Sequence, residues 1–379
     1  MKKVVYDIES LPNYFCIVFS ELHGDGKVVF EISKNRQDHK HIVIQILNYW
    51  LLGYNNHGYD DIICNFILDN PECTAEEINV VSQAIIALGR DPKNEELKAI
   101  VRPHKHNNYF KSSDIMTMLA SSKLRVSLKH LQVIIKWHNL EEFECDWTKD
   151  LPEDRWEACK LYCLNDVLSL KAVCHNQEKG FALRDYVHEQ TGFDVYSKDP
   201  VKIAEWTMAD SIAKGLGWED TQRFIWDTNK KNIPIRSIKL SELILPFISF
   251  KTKVFQDVLD VYNNFLLNPK EEAEKKKADK FKVPALIDGM ILNFGLGGLH
   301  HDYKAGRVFK STDTVKVIQS DVTSYYPSMR IEHFPHRFDP VFLKEYVKAY
   351  EEKATGKSTK NKLLEGYAKL KLNSKINNT

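Results

Sequence analysis

Two carboxylates near the N-terminus, Asp7 and Glu9, offer the first possible chemistry in this chain. They lie within the apolar segment 4–10. Alternate residues of a β-strand point to the same face, so both side chains should project to one side of a sheet. A pair of charges in a buried strand is costly unless a cation neutralises it, and a divalent metal ion would do so. The alternative is a polar strand end with a chance Asp-x-Glu.

Two further carboxylates suit the same site. Asp60 follows the loop 53–59 at the start of a predicted helix, and Asp166 lies on a long predicted helix. Tyr162, four residues before Asp166, shares its helical face. Four carboxylates can hold two divalent ions about 3.5–4 Å apart, one activating a water and one stabilising the leaving oxygen. Such ligands favour Mg²⁺ or Mn²⁺, and the Tyr162 hydroxyl is expected to orient the attacking water.

Three motifs built on these residues resemble those of a known exonuclease family. They are Asp-x-Glu at 7–9, Asn-x-x-Tyr-Asp at 56–60 and Tyr-x-x-x-Asp at 162–166. In this order they resemble the motifs of the DEDDy 3′–5′ proofreading exonucleases. The resemblance implies an RNase H-like fold and a catalytic set that is listed here: Asp7, Glu9, Asp60, Tyr162 and Asp166.

The same resemblance implies contacts with single-stranded DNA. The segment 127–131 is similar to the Ser/Thr-Leu-x-x-apolar motif that binds single strands in such domains, which implicates Ser127 and Leu128, and Asn56 belongs to the second exonuclease motif. The two residues that border Asn56 and Asp60 are interpreted without a catalytic role. His57 is interpreted as a solvated loop histidine, and Asp61 as a helix N-terminal charge favoured by the helix dipole.

A second resemblance begins in the last third of the chain. The segment 321–329 follows a β-branched run at 315–318, predicted to be a strand, and Pro327-Ser328 is predicted to start a helix. It resembles motif A of the family B DNA polymerases. By that resemblance Asp321 binds the catalytic metals, and Tyr326 packs under the deoxyribose and excludes a ribose 2′-hydroxyl.

Flanking segments extend this resemblance. The segment 294–300 is similar to the Tyr-x-Gly-Gly segment, which implies that Gly297 and Gly298 approach DNA, although Gly295 stands where the tyrosine is expected. A plain turn between strands is the alternative.

The segment 369–374 is similar to motif B. The resemblance implies that Lys369 contacts the triphosphate and Asn373 the incoming nucleotide. Lys353 and Lys357, one helical turn apart, would present cations to phosphates, although a solvated charged helix explains them almost as well.

The second carboxylate pair of a polymerase palm, motif C, has no counterpart in these 379 residues. Two-metal nucleotidyl transfer needs it. The resemblance therefore implies the N-terminal part of a phage-type family B DNA polymerase, working with a second polypeptide or missing segment that carries motif C. The expected partners are primer-template DNA, a single-stranded 3′ end and dNTPs. This chain alone is expected to act as an exonuclease; the alternatives are a stand-alone 3′–5′ exonuclease and a non-catalytic DNA-binding subunit.

The elements that must position these residues follow from hydrophobic periodicity. Strands are predicted at 2–9, 15–20 and 27–32, helices at 39–52, 60–70, 75–90 and 151–179, and a short strand with a helix at 111–135. This order indicates an α/β fold with a mixed sheet. We predict an RNase H-like exonuclease domain over 1–195, a mostly helical connecting region over 196–290, and a partial palm and fingers over 291–379.

Composition narrows the class of protein. No apolar run reaches the length of a membrane span, and no signal peptide opens the sequence. Seven cysteines without a Cys-x-x-Cys pair favour reduced thiols in the cytoplasm, of the host cell if the chain is phage-encoded. From residue 291 onward there are 15 Lys and Arg against 9 Asp and Glu. That excess suits a polyanion-binding region, although chance asymmetry also explains it.

Overall fold

The computed structural model describes residues 1–374 apart from 107–108, 120–125, 230–235, 276–279, 288, 302–307, 309, 319, 321 and 323. Its described residues form two compact units. The first combines Met1–Lys214 with residues 348–374, and the second is Gly215–Val347. All four acidic residues of the predicted exonuclease set lie in the first unit.

The first unit is built on a six-stranded mixed sheet with the strand order β4-β3-β2-β1-β5-β6. Its strands are β1 (Lys3–Leu11), β2 (Tyr14–Glu21), β3 (Lys27–Ser33), β4 (Arg36–Gln37), β5 (Trp50–Gly53) and β6 (Ser112–Asp114). The first four pair antiparallel as a meander, whereas β5 and β6 run parallel to β1. The central strand β1 therefore has an antiparallel neighbour on one side and a parallel one on the other.

Fifteen α-helices are assigned among the described residues. In chain order they are α1 (His39–Asn48), α2 (Asp60–Asp69), α3 (Ala75–Arg90), α4 (Glu95–Val101), α5 (Ile115–Leu119), α6 (Leu128–Ile134), α7 (Trp156–His175), α8 (Glu178–Thr191), α9 (Pro200–Gly215), α10 (Thr221–Asn229), α11 (Lys253–Asn264), α12 (Pro269–Glu274), α13 (Tyr325–Ser328), α14 (Pro340–Ser358) and α15 (Lys362–Leu372). No described helix is long and apolar enough to cross a membrane.

The two faces of the sheet bury different sets of side chains. Val5 and Leu11 pack with α7, whereas Val4, Tyr6 and Ile8 pack with α1, α2 and α3. This alternation follows from the two-residue period of a strand. Asp7 and Glu9, at odd positions of β1, therefore belong to the α7 face.

The second unit contains two small sheets besides its helices. One pairs β7 (Ile238–Lys239) with β8 (Leu266–Leu267). The other has the strand order β11-β10-β9 and consists of β9 (Lys282–Ile287), β10 (Met290–Gly295) and β11 (Gly298–His301). Tyr262 of α11 donates a hydrogen bond to the Gly295 carbonyl, which ties the helix to this sheet.

Most predicted elements of the first unit are confirmed, as is the mixed α/β class. The three N-terminal strands, the helices near 60–70 and 75–90, and the short strand within 111–135 all form, and two described helices, α5 and α6, lie where one was expected. One prediction was wrong: the helix expected over 39–52 ends at Asn48, and Trp50–Gly53 forms β5. The long helix is shorter than expected, since α7 spans Trp156–His175.

Two expectations for the last third of the chain were also wrong. Residues 315–318, expected to be a strand, have no regular secondary structure, and Val315, Val317 and Ile318 are exposed. The helix expected to start at Pro327 begins two residues earlier, at Tyr325.

Candidate active site

Asp7 and Glu9 lie in the middle of β1, opposite Val18 and Cys16 of β2. The parallel pairing with β5 covers Lys3 to Val5 and stops before Asp7. Beyond Val5, the edge of β1 that faces away from β2 is not paired with β5. Both carboxylates are partly buried, and their ligand oxygens and the Cys163 sulfur all lie within 4.8 Å of one another.

Asp60 follows a tight turn that begins at the end of β5. A Cβ on Gly53 would lie 2.5 Å from the Asn56 Cβ and 2.9 Å from Tyr6, so the turn requires a glycine. Asn55 adopts a left-handed conformation (φ 60°), which asparagine tolerates. A short 3₁₀ helix follows, and α2 then begins at Asp60, whose carboxylate is 6% exposed.

Asp166 and Tyr162 come from α7, which packs on β1 and β2. Asp166 is buried and Tyr162 is partly buried. One oxygen of Asp166, Oδ1, accepts hydrogen bonds from Lys129 Nζ at 2.7 Å and Gln132 Nε2 at 2.8 Å. Both donors belong to α6. The structure therefore places an ammonium group at the edge of the carboxylate cluster.

The electrostatics of the cluster favour proton uptake or cation binding. Burial, and then the Asp166 charge, raise the pKa of Asp7 to about 8. Burial and the Asp7 charge raise the pKa of Glu9 well above its usual value, and the same two causes act on Asp60. Like charges brought together out of water destabilise each other. The four carboxylates are thus linked electrostatically, and a divalent cation would relieve their repulsion.

Tyr162 is held next to Asp166 by its surroundings. Burial, and then the charge of Asp166, raise its pKa, so its hydroxyl stays protonated at neutral pH and is a hydrogen-bond donor. The Lys129 ammonium lies 4.5 Å from the centre of the Tyr162 ring, and Phe143 packs at 5.7 Å. Cation–π contact and ring packing fix the tyrosine on the carboxylate face.

Cys163, one of the seven cysteines expected to be reduced thiols, lies in the site. Its sulfur donates to the Asp7 carbonyl at 3.5 Å and lies 3.9 Å from Asp7 Oδ2. The signal was present, because Cys163 precedes Asp166 by three residues and therefore shares its side of the helix. The site thus combines hard carboxylate oxygens with one soft sulfur. The carboxylates fit Mg²⁺ or Mn²⁺, and the thiol adds a ligand that these ions do not need.

Asp61 lies in the first turn of α2, as expected for a helix N-terminal charge. The residue is also buried (4% exposed), and its carboxylate accepts hydrogen bonds from other elements, which the sequence did not indicate. Tyr6 and Ser112 donate short hydrogen bonds to it, and Asn56 Nδ2 donates at 3.0 Å. Tyr6 precedes Asp7 and Asp61 follows Asp60, so this contact holds two elements of the site together.

Asn56 and His57 also lie next to the Asp61 carboxylate. Asn56, predicted to touch DNA, is fully buried, and as placed it offers no surface for such a contact. His57 is partly exposed, but it is more than a solvated loop residue: its Nε2 pairs with Ser112 Oγ at 3.1 Å and lies 3.6 Å from Asp61 Oδ2.

The other predicted DNA contacts have local structural roles. Ser127 is exposed and caps α6, its hydroxyl accepting from the His130 N–H at 3.2 Å. Leu128 packs against the core beneath α7. In the second unit, Gly297 lies in the turn between β10 and β11, and Gly298 begins β11 with a φ of +134° that favours glycine.

Predicted polymerase residues lie on helices or at their ends. Asp321 falls outside the described residues. Tyr326 is in α13 of the second unit and is 70% exposed. Within the first unit, Lys353 and Lys357 lie on α14, and Lys369 and Asn373 lie at the C-terminal end of α15 and are exposed.

The raised pKa of Asp7 predicts that the free energy of unfolding depends on pH. The pKa of Asp7 is raised from 3.8 to about 8 in the folded chain, so the folded state holds this proton more tightly than the unfolded state. The resulting stabilisation is complete below about pH 4 and is lost as the pH rises towards 8. In EDTA we expect Asp7→Asn to exceed the wild type in stability at pH 8 by about 1–2 kcal/mol, with a smaller gain at pH 5. Urea unfolding at the two pH values measures this, and parallel pH slopes for the two proteins would contradict it.

Comparisons of the chain with protein family models, with curated proteins and with solved structures return no match.

Proposed function

We propose that this chain is a metal-dependent 3′–5′ exonuclease acting on single-stranded DNA ends. The observation that carries the proposal is a pair of partly buried acids, Asp7 and Glu9, whose pKa values are affected by two further, buried acids. Asp7 and Glu9 share a ligand cluster, and their charges are coupled to Asp60 and Asp166, which come from separate helices. A chain that only bound DNA would have no reason to bury repelling carboxylates.

The sheet supports an RNase H-like fold as part of this proposal. Three antiparallel strands followed by two parallel ones, with the first strand central, give the order β3-β2-β1-β5-β6 plus the short edge strand β4. In this arrangement the carboxylates of β1 lie beside the carboxyl end of β5 and beneath α7. The resemblance of the three acidic motifs to those of the DEDDy exonucleases agrees with that order.

Asp7, Glu9, Asp60 and Asp166 would hold two Mg²⁺ or Mn²⁺ ions. When bound, such ions lower the pKa of a water and stabilise the leaving oxygen. The protonated Tyr162 hydroxyl donates a hydrogen bond that orients the attacking water. Hydrolysis breaks the bond between phosphorus and the 3′ oxygen of the penultimate nucleotide, and releases a mononucleotide and a strand shortened by one.

Lys129 gives the site a fixed cation besides any metal. Its ammonium contacts Asp166 Oδ1, the same oxygen to which Gln132 donates. In the proposed reaction Lys129 fixes the orientation of the Asp166 carboxylate and positions Tyr162 through the contact with its ring.

The experiment that tests the proposal follows a single-stranded oligonucleotide labelled at its 5′ end. With Mg²⁺ or Mn²⁺ we expect a ladder that shortens one nucleotide at a time, and with EDTA an intact strand. A strand blocked by a 3′-terminal phosphorothioate should be degraded more slowly. An intact labelled strand in every metal condition would contradict the function.

Tyr162→Phe isolates the role of the hydroxyl. We expect the cleavage rate to fall about tenfold, since one orienting hydrogen bond is lost while the metal ligands remain. Single-turnover kinetics at saturating DNA measures it, and the melting temperature should not change. A full cleavage rate in the variant would show that the hydroxyl does not position the nucleophile.

The polymerase resemblance extends the proposal to the complete protein. Residues 321–329 and 369–374 resemble motifs A and B of the family B DNA polymerases, so we propose that the exonuclease proofreads for a polymerase that uses dNTPs and primer-template DNA. Motif C would come from a second polypeptide or a further segment. Lys353 and Lys357 lie on either side of Gly356 in α14, where α14 and α15 pack closely, since a Cβ on Gly356 would lie 2.6 Å from the Glu365 nitrogen. By the same resemblance we propose that these two lysines bind phosphates.

A further inference from the structure

A groove beside α2 and α4 has no part in the carboxylate site. It consists of two adjoining cavities of ≈ 290 and ≈ 460 Å³ that share Ile62 and Lys105. We call it the α2–α4 groove. Cavities of this combined size are typical of small-molecule sites.

The smaller cavity contains polar groups that lack partners. Asn65 is 1% exposed, and its Nδ2 donates to the carbonyls of His104 at 2.8 Å and His106 at 2.7 Å. These two bonds fix the orientation of the amide, so the atom left over is Oδ1, an acceptor. Within the described chain, Asn65 Oδ1 and His106 Nδ1 are buried and have no hydrogen-bond partner, and both residues line the cavity. Orphaned buried polar atoms are costly and indicate a missing partner.

The larger cavity is cationic and apolar. Lys98, Arg102 and Lys105 line it, and none of its lining residues is acidic. Lys98 and Arg102 pair with Glu95 at 2.7 and 3.6 Å, whereas Lys105 has no salt bridge to any described residue. The opposite wall is apolar, with Ile62, Ile85 and Leu88. A flat apolar ring carrying a negative charge would match both sides.

We propose that the α2–α4 groove binds a nucleotide, with an amine-bearing base at Asn65 and His106 and a phosphate at Lys105. The amide oxygen of Asn65 accepts from the exocyclic amine, and His106 Nδ1 donates to the neighbouring ring nitrogen. Adenine and cytosine present that donor and acceptor side by side. The ring packs on Ile62 and Ile85, and the phosphate reaches the unpaired ammonium of Lys105, with Arg102 nearby.

The nucleotide has two sources with the same chemistry, a free mononucleotide or one residue of a single strand. Gly58, two residues before Asp60 in the sequence, is among the residues that line the groove. The proposal does not depend on nuclease activity, since no metal ligand lines the groove.

The test is calorimetric titration of the full chain in EDTA with deoxyadenosine monophosphate and, separately, with a four-nucleotide deoxyadenylate strand. We expect at least one to bind, and the one that binds identifies the source. Lys105→Glu should weaken that binding by about tenfold or more, whereas Lys40→Glu, an exposed change on α1, should leave it unaltered. Lys105 is exposed, so its substitution does not disturb the core.

A matched ligand tests the base contact without changing the protein. The purine analogue of the bound nucleotide that lacks the 6-amino group should bind about tenfold more weakly, since Asn65 Oδ1 would again have no donor. Binding of neither probe, equal binding by Lys105→Glu, or equal binding of the amine-free analogue would overturn the proposal. Asp7→Ala should retain the binding, which separates failure of this site from failure of the nuclease.

Discussion

Asp7→Ala should abolish metal-dependent degradation of single-stranded DNA, lowering the rate by about 10³-fold or more. Asp7 shares a cluster with Glu9, and its charge is coupled to Asp60 and Asp166, so its loss removes the carboxylate common to the whole set. A deficit of about 4 kcal/mol in transition-state stabilisation corresponds to this factor. The measurement is the single-turnover rate on a 5′-labelled oligonucleotide with Mn²⁺ in excess.

The matched control for Asp7→Ala is Asp150→Ala, which removes an exposed carboxylate outside the cluster. We expect that variant to cleave at the wild-type rate. Asp7→Ala should fold, because it relieves repulsion between acids, so its melting temperature in EDTA should equal or exceed that of the wild type. Cleavage by Asp7→Ala at a rate within tenfold of the wild type would show that the carboxylates do not form a catalytic metal site.

Asp61→Ala should destabilise the first unit by about 3 kcal/mol, even though Asp61 is not among the proposed metal ligands. The substitution leaves the buried Tyr6 hydroxyl and Asn56 amide without their acceptor, removes one partner of the partly buried Ser112 hydroxyl, and opens a cavity beside them. For a unit of this size the expected fall in melting temperature is roughly 6–12 °C.

Asp69→Ala is the control on the same helix, since the Asp69 side chain is 24% exposed and accepts from His104 and Tyr109. We expect it to cost less than about 1 kcal/mol. Thermal unfolding followed by circular dichroism compares the two variants in EDTA. Equal melting temperatures for them would mean that the buried contact of Asp61 contributes little to the fold.

Local patterns were sufficient to predict much of the sheet and the helices around the site. The alternation of β1 predicted that Asp7 and Glu9 share a face, and the four-residue spacing of Tyr162 and Asp166 predicted a common side of α7. The strand β5 was missed because Trp50, Leu51 and Leu52 are all fully or nearly fully buried. A short apolar run of that kind lacks alternation, and periodicity alone does not separate it from the end of a helix.

The partners of Asp61 and Lys129 depend on tertiary contacts, so they were not predicted from the sequence. Asp61 was interpreted from its position in α2, but its partners Tyr6 and Ser112 are 55 and 51 residues away. Lys129 was read within a predicted DNA-binding segment, whereas its ammonium pairs with Asp166 from a different helix. Such pairings depend on how α6 and α7 pack, and spacing along the chain does not encode them.

If the four acids hold divalent metal, crystals soaked in Mn²⁺ should show anomalous scattering at the carboxylate cluster. We expect a peak about 2.0–2.3 Å from oxygens of both Asp7 and Glu9, and its loss in Asp7→Ala crystals. An empty carboxylate cluster at saturating Mn²⁺, in crystals whose wild-type fold is intact, would show that these acids do not form a metal site.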